Sequence, residues 1–364
     1  MKNRTDYHIL VRAPNWIGDQ VLAYPFFYYL RKAYPKAHIT SVCVPWVKEL
    51  QYRDLVDDVR VLARPARDTL FEKFSVTTDF AKKLKSERQW DLGFALPNSI
   101  SSAWLLNRAG VKRRIGYKFE GRGILLTEGS DIKKTMVHRA QSYVDLLPVA
   151  SRPTLDIKDF WGIPAENDLD DDIPGEQSSF NPGKSWPDYP PLASPTNGEP
   201  YWVLAPGATA DSRRWPVDYF IALVERIQKE TGLVGVIVGG PTEAPLAARL
   251  CDDSKLQLID ATAQCPVPGL SEIFRNSKFT VCNESGLAHV AALCGSFVQI
   301  VCGAADPRRT QPLGPGRVQV NFNPVDCWPC ERNTCSQPSE MQFQCLRGIK
   351  PDSVWEEIRR GTKS

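Results

Sequence analysis

The sequence predicts two doubly wound α/β domains. Apolar runs of strand length alternate with helical patterns in both halves, and 364 residues suffice for two domains that each bury a core. Between about Asp156 and Pro200 the composition turns rich in Pro, Asp, Ser and Gly, the mark of a linker. Strands alternating with helices imply a parallel sheet with helices on both faces, with ligands beyond the carboxyl ends of the strands. The expected division is a first domain over 1–160, a linker with an insertion over 161–200, and a second domain over 201–345. A closing segment, 346–364, carries a helix expected to pack back toward the first domain.

Residues 8–13, HILVRA, form the first strand, and Pro14 to Asp19 break it. Leu22, Pro25, Phe26, Tyr29 and Leu30 then recur at helical spacing up to Lys32. Further strands are expected over His38 to Val44, Asp58 to Leu62 and Asp91 to Leu96, which places Trp16 to Asp19 and Pro97 to Ser99 at the ligand edge. In the second half Tyr201 to Ala205 is a strand, followed by a loop to Pro216 and a helix from Val217 to Thr231. Gly235 to Val238 is a strand leading into Gly239 to Glu243. The strand at Phe279 and Val281 stops at Asn283-Glu284-Ser285-Gly286, where a helix begins at once. Val298 to Cys302 follows, and Ser353 to Arg360 reads as the closing helix.

The composition, 42% hydrophobic and 24% charged, is that of a soluble globular protein, and no apolar run approaches the roughly 18 residues that span a bilayer. The amino terminus passes into strand-like sequence without the apolar core of a signal peptide, so a cytoplasmic location is expected. A net charge of +3 does not point to nucleic acid. The basic residues are nonetheless clustered: Lys112, Arg113, Arg114, Lys118 and Arg122, and then Arg213 with Arg214. Such runs are commonly solvated faces, the alternative being a rim for an anionic acceptor or a membrane surface. Ten cysteines in a cytosolic chain argue against a disulfide framework. Cys327, Cys330, Cys335 and Cys345 form a tight set that resembles structural zinc ligands in residue type, although the spacing matches no zinc ribbon closely.

Three loops of the second domain end strands on one side of the sheet, and together they suit a nucleotide diphosphate. Thr209 and Arg213 or Arg214 supply a hydroxyl and a permanent cation, and Glu243 can accept from ribose hydroxyls. The helix opening at Ser285 and Gly286 aims N–H groups and a positive dipole end at a phosphate, with His289 in its first turn. Ser285 also suits a plain helix cap, and His289 a core-edge histidine. No Gly-x-Gly-x-x-Gly or Walker sequence follows a strand, which argues against a dinucleotide oxidoreductase or an ATP-driven motor. In the first domain Asp19 follows a Gly, where an Asp commonly caps a helix. Its functional reading is a general base for an attacking hydroxyl. The four histidines lie on separate segments, so no Ser-His-Asp or His-rich metal set competes.

These residues resemble glycosyltransferase family nine, the ADP-heptose:lipopolysaccharide heptosyltransferases. The likeness covers nearly the whole chain: ILVRAPNWIGDQVLAYP, LPNSISSAWLLNRAGVKRRIGY, APGATADSRRWP, NESGLAHVAA and PxxCxPCxxxxC, in that order. The resemblance implies a GT-B fold, two Rossmann-like domains facing a central cleft, with the acceptor on the first and the nucleotide sugar on the second. It implies an inverting transfer of heptose from ADP-heptose to the lipid A-linked inner core at the cytoplasmic leaflet, by a monomer, with no cofactor, metal or nucleic acid. Asp19 matches the family's base. Thr209, Arg213, Arg214, Ser285, Gly286 and His289 match the donor side, and Asn98 and Ser99 the acceptor loop, with Lys112, Arg113, Arg114 and Arg122 toward a phosphorylated acceptor. Two positions depart: Glu284 stands where the family usually has Asp, and Arg213 where it usually has Lys. They put the donor sugar in question, and leave open another nucleotide sugar or a non-catalytic binding protein. A nucleotide-sugar epimerase would need a nicotinamide or a facing acid and base pair, which the sequence does not offer.

Overall fold

The computed structural model describes residues 7–63, 69–132, 137–155, 185–186, 195–254 and 258–362. These form two compact units, 7–155 with Ser185 and Trp186, and 195–362. The expected linker lies outside the described residues apart from 185–186 and 195–200.

The first unit runs β1 (His8–Arg12), α1 (Ile17–Leu22), α2 (Tyr24–Ala33), β2 (His38–Cys43), β3 (Asp58–Val61), α3 (Leu70–Glu87), β4 (Leu92–Ala95), α4 (Ile100–Arg108), β5 (Arg113–Lys118), β6 (Glu128–Asp131) and α5 (Arg139–Val144). Its sheet is parallel throughout, in the order β3-β2-β1-β4-β5-β6. β1 is central and wholly apolar from Ile9 to Val11, with Ile9 opposite Ile39 on one side and Leu92 on the other. Successive residues of β4 face opposite layers: Phe94 meets Phe26 of α2 with ring centroids 5.1 Å apart, while Ala95 joins Leu84 of α3 and Leu105 and Leu106 of α4. The helical pattern expected as one segment up to Lys32 is two helices. Pro25 lacks an N–H and stands in the first turn of α2, so the chain restarts there after Ala23.

The second unit runs β7 (Tyr201–Ala205), α6 (Val217–Thr231), β8 (Val234–Ile237), α7 (Ala244–Ser254), β9 (Leu258–Asp260), α8 (Ser271–Asn276), β10 (Thr280–Asn283), α9 (Gly286–Leu293), β11 (Val298–Cys302), α10 (Pro307–Thr310), β12 (Val318–Phe322), α11 (Gln344–Arg347) and α12 (Pro351–Thr362). The order β12-β11-β10-β7-β8-β9, again parallel, repeats that of the first unit when counted from its own first strand. In both sheets the direction of winding reverses beside the first strand, between β1 and β4 and between β7 and β10. Those are the topological switch points, where loops diverge and leave a crevice.

In the closing helix, Val354, Trp355 and Ile358 of α12 are buried with Phe220, Leu223 and Ile227 of α6, in the core that also holds Leu204, Val281 and Val301 of the second sheet. Its apolar face is thus part of the core of its own unit. Replacing Trp355 with Ala should cost the second unit about 3–5 kcal/mol. Urea unfolding followed by circular dichroism would show this as a lowered midpoint, and an unchanged midpoint would refute the placement.

Candidate active site

At the switch point of the second sheet two loops are joined by one side chain. Asn283 ends β10 and is fully buried. Its Nδ2 donates to the Pro206 carbonyl at 2.5 Å, and its Oδ1 accepts from the Trp215 N–H at 3.0 Å. Pro206 and Trp215 are the two ends of the loop carrying Thr209, Arg213 and Arg214. Trp215 is anchored in turn by its indole N–H on the Ile349 carbonyl at 3.0 Å. A strand residue therefore closes the loop at both ends, and this role of Asn283 is invisible in a motif read only for its Ser and Gly.

Glu284 follows, buried, with its Oε2 3.1 Å from Arg213 Nε. The contact is an ion pair. The two positions at which the sequence departs from the family pattern thus meet. Arg214 points its guanidinium at its own loop, with Nε on the Ala208 carbonyl at 2.8 Å and Nη1 on Asp211 at 2.8 Å. Thr209 is exposed between them. Ser285 stands at the N-cap of α9 in extended conformation without a side-chain capping bond. The first-turn N–H groups of Gly286 and Leu287 have no carbonyl partner within the helix, so this end of α9 carries donors and a positive dipole end. His289 is buried as the fourth residue of α9.

Glu243 is half-buried in the loop after β8. Its Oε2 accepts from the Gly240 N–H at 2.8 Å and its Oε1 from the Thr242 hydroxyl at 3.0 Å, closing the turn after β8. A Cβ at Gly207 would come within 2.5 Å of Glu243 Cγ, so the loops after β7 and β8 approach only because Gly207 has no side chain. The loop after β11 joins the same edge. Ser212 receives the Ala304 N–H at 3.3 Å on its carbonyl, and its hydroxyl donates to the Arg332 carbonyl. Asp306, buried at the start of α10, holds the exposed Arg308 through Oδ2 at 2.7 Å. The side-chain bond to Arg308 keeps the Asp306 carboxyl below its ordinary range.

In the first unit, buried arginines do the joining. Arg12 bonds the Ala13 carbonyl and Asn15 Oδ1, each at 2.5 Å, and fixes the turn after β1. Burial lowers its pKa to about 10, so it remains a cation at neutral pH. That turn starts α1 with Trp16, not Asp19, at the N-cap. Asp19 lies in the first helical turn, and its Oδ1 accepts from Arg139 Nη1 at 3.1 Å.

Arg122 is the chief correction among the basic residues. It was expected on an acceptor-facing rim and is 1% exposed, with donors directed at the Tyr117, Pro97 and Ser99 carbonyls and the Ser102 hydroxyl. Its Nη2 reaches Asn98 Oδ1 at 3.3 Å, so it shapes the loop carrying Asn98 and Ser99. Those two residues are exposed at the carboxyl end of β4.

Lys112, Arg113 and Arg114 are not gathered with them. They lie at the amino end of β5, where Lys112 pairs with Asp91 at 2.9 Å, Arg113 with Glu128 at 2.7 Å, and Arg114 bonds the Leu125 and Val111 carbonyls. In a parallel sheet that is the edge opposite the ligand loops. Among the described residues no three His, Cys, Asp or Glu side chains are grouped to hold a metal ion. Cys327, Cys330, Cys335 and Cys345 are free thiols that lie close enough for the other three to add to the burial that pushes the Cys345 thiol up.

Two parallel Rossmann-like sheets, each with its own topological switch point, define a two-domain doubly wound α/β protein. Residues 77–340 match the model for glycosyltransferase family 9 (heptosyltransferase), and the chain belongs to that family. Lipooligosaccharide heptosyltransferase 2 of Haemophilus ducreyi is 25% identical over 363 residues, covering 97% of this chain and 98% of the relative. The solved structure of E. coli ADP-heptose lipopolysaccharide heptosyltransferase II superposes with a TM-score of 0.70 at 19% identity, over 98% of both chains. That of E. coli heptosyltransferase WaaC with ADP gives 0.66 at 16% identity, over 97% of this chain and 99% of the other. The architecture is the GT-B fold.

Replacing Asn283 with Ala would leave a buried carbonyl and a buried N–H without their partner, at about 1–3 kcal/mol each. The expected result is a lowered midpoint of thermal unfolding followed by circular dichroism, and an unchanged midpoint would show that the loop keeps its form without this amide.

Proposed function

We propose that the protein transfers heptose from ADP-heptose to the inner core of a lipid A-linked acceptor. The observation that carries the reading is the crevice between β7 and β10, where an Asn283-closed loop bearing Thr209 and Arg213 faces the amino end of α9. It is supported by the near full-length similarity to a relative named as a lipooligosaccharide heptosyltransferase. The diphosphate of the donor would lie on the N–H groups of Gly286 and Leu287, with the Ser285 hydroxyl and the Arg213 guanidinium beside it. Asn98 and Ser99 would meet the acceptor on the first unit.

The step is a single displacement. The Asp19 carboxylate takes the proton from an acceptor hydroxyl, and that oxygen bonds to the anomeric carbon of the heptose. The bond from this carbon to the β-phosphate oxygen breaks, and its electron pair leaves with ADP. One displacement inverts the anomeric centre. Charge growing on the departing phosphate meets donors and a cation already in place, which is how preorganised groups lower such a barrier. In this proposal those groups hold the leaving group without a resident metal, and the enzyme acts as a monomer at the inner face of the cytoplasmic membrane.

A donor screen tests the reading: ADP-heptose against UDP- and GDP-sugars, with a heptose-deficient core as acceptor. Turnover should be confined to ADP-heptose, and Asp19→Ala should lower kcat by about 10²–10⁴-fold while ADP binding is nearly unchanged. Binding of ADP-heptose without transfer to any core acceptor would replace the enzyme with a binding protein. Full activity in Asp19→Ala would remove Asp19 from the mechanism.

Glu284 gives a separate check on the donor. Changing it to Asp withdraws the carboxylate by a methylene from Arg213, and should alter KM for ADP-heptose more than affinity for ADP. An equal effect on both would place Glu284 at the nucleotide.

A further inference from the structure

We propose that Arg139 is a positioning residue for the Asp19 carboxylate, holding it in the orientation from which it accepts the proton. This rests on the reading of Asp19 as the base. The two residues are 120 positions apart, so their meeting is made by the fold and not by local sequence. Arg139 opens α5, whose N-cap is fixed by His138 Nδ1 accepting the Ala140 N–H at 3.3 Å. One turn on, the buried Tyr143 lies near both Arg139 and Asp19, and its hydroxyl is kept far above its ordinary pKa chiefly by burial. It is therefore neutral. α5 packs against α1 and α2, the helices that follow the β1 turn. The guanidinium thus meets a carboxylate, with a neutral phenol nearby, on a helix braced against the element that carries Asp19.

A half-exposed ion pair of this kind contributes little to stability. Its weight falls on geometry instead. A planar guanidinium fixes the plane of a carboxylate in a way the point charge of Lys does not. For a general base this matters, since a displacement of about 1 Å from the reacting position can cost on the order of 10²-fold in rate. The competing role for Arg139 is direct contact with an anionic group of the acceptor, which would act on acceptor binding and without reference to Asp19.

A mutant cycle in the intact chain separates these roles, using ADP-heptose and a heptose-deficient core. Arg139→Met should lower kcat by about 10–10²-fold with the KM for acceptor little changed, and Arg139→Lys should recover part of the loss. Thermal midpoints of both variants should stay near that of the unaltered protein. In the Asp19→Asn background the Arg139→Met change should have no further effect. Should that background fall below detection, Asp19→Glu serves, where a carboxylate already displaced makes the loss from Arg139→Met smaller. An equal loss in both backgrounds, or a rise in acceptor KM with kcat retained, overturns the proposal. An Asp19→Asn variant with full kcat removes the base and this role of Arg139 together, whereas failure of the cycle alone leaves the base in place.

Discussion

The second unit's functional edge depends on the amide of Asn283. A loop that must present a hydroxyl and a cation to a ligand gains nothing from flexibility, yet loops carry few contacts of their own. Here the carbonyl at its start and the N–H at its end are both bound by one buried side chain at the tip of β10. An amide suits this because it offers a donor and an acceptor a fixed distance apart, without the cost of burying a charge. Everything downstream inherits that closure. Arg213 reaches Glu284 because its loop returns to the strand that Glu284 follows, and the amino end of α9 lies beside the same loop because Ser285 follows directly.

The first unit solves the same problem with charge. Arg12 and Arg122 are buried beneath the turns after β1 and β4, each bonding main-chain carbonyls that point inward. Carbonyl-lined turns need donors, and a guanidinium has five in one plane. Burial lowers the pKa of each to about 10, which leaves both protonated at neutral pH. The consequence is electrostatic as well as structural. The edge that carries Asp19 has permanent cations beneath its turns and Arg139 beside its carboxylate, so the local field there is positive.

The fold was legible where strands are central. β1, β7, β10 and β11 are buried on both faces and are largely apolar, as the middle of a parallel sheet requires. β5 and β6 were not recognised, because RRIGYK and EGSD lie toward an edge where charge is tolerated. Of the expected site residues, Thr209 lies in the loop after β7, Ser285 at the N-cap of α9 and Asp19 in the first turn of α1. The positions of Arg122 and the Lys112 to Arg114 run were not legible, since a sequence gives the charge of a side chain but neither its depth nor the end of the strand it occupies. Arg139 carried no signal, for its meaning lies in a partner 120 residues away.

The meeting of Arg213 with Glu284 alters how the two departures from the family pattern should be weighed. Taken singly, each looks like a change of reach toward a ligand, a longer carboxylate or a forked cation. Placed 3.1 Å apart, they constrain one another. A buried carboxylate is costly without a cation, so Glu284 depends on a positive group at position 213 that reaches it. The dependence also runs in reverse, because a cation that neutralises Glu284 offers less field to a diphosphate than one facing only the ligand. In the proposed donor site, the dipole end of α9 and the hydroxyls of Thr209 and Ser285 would then carry more of the phosphate binding than the paired guanidinium. Specificity toward the sugar would accordingly reside in the pair and not in either residue, and a change at one position is interpretable only with the other held in view.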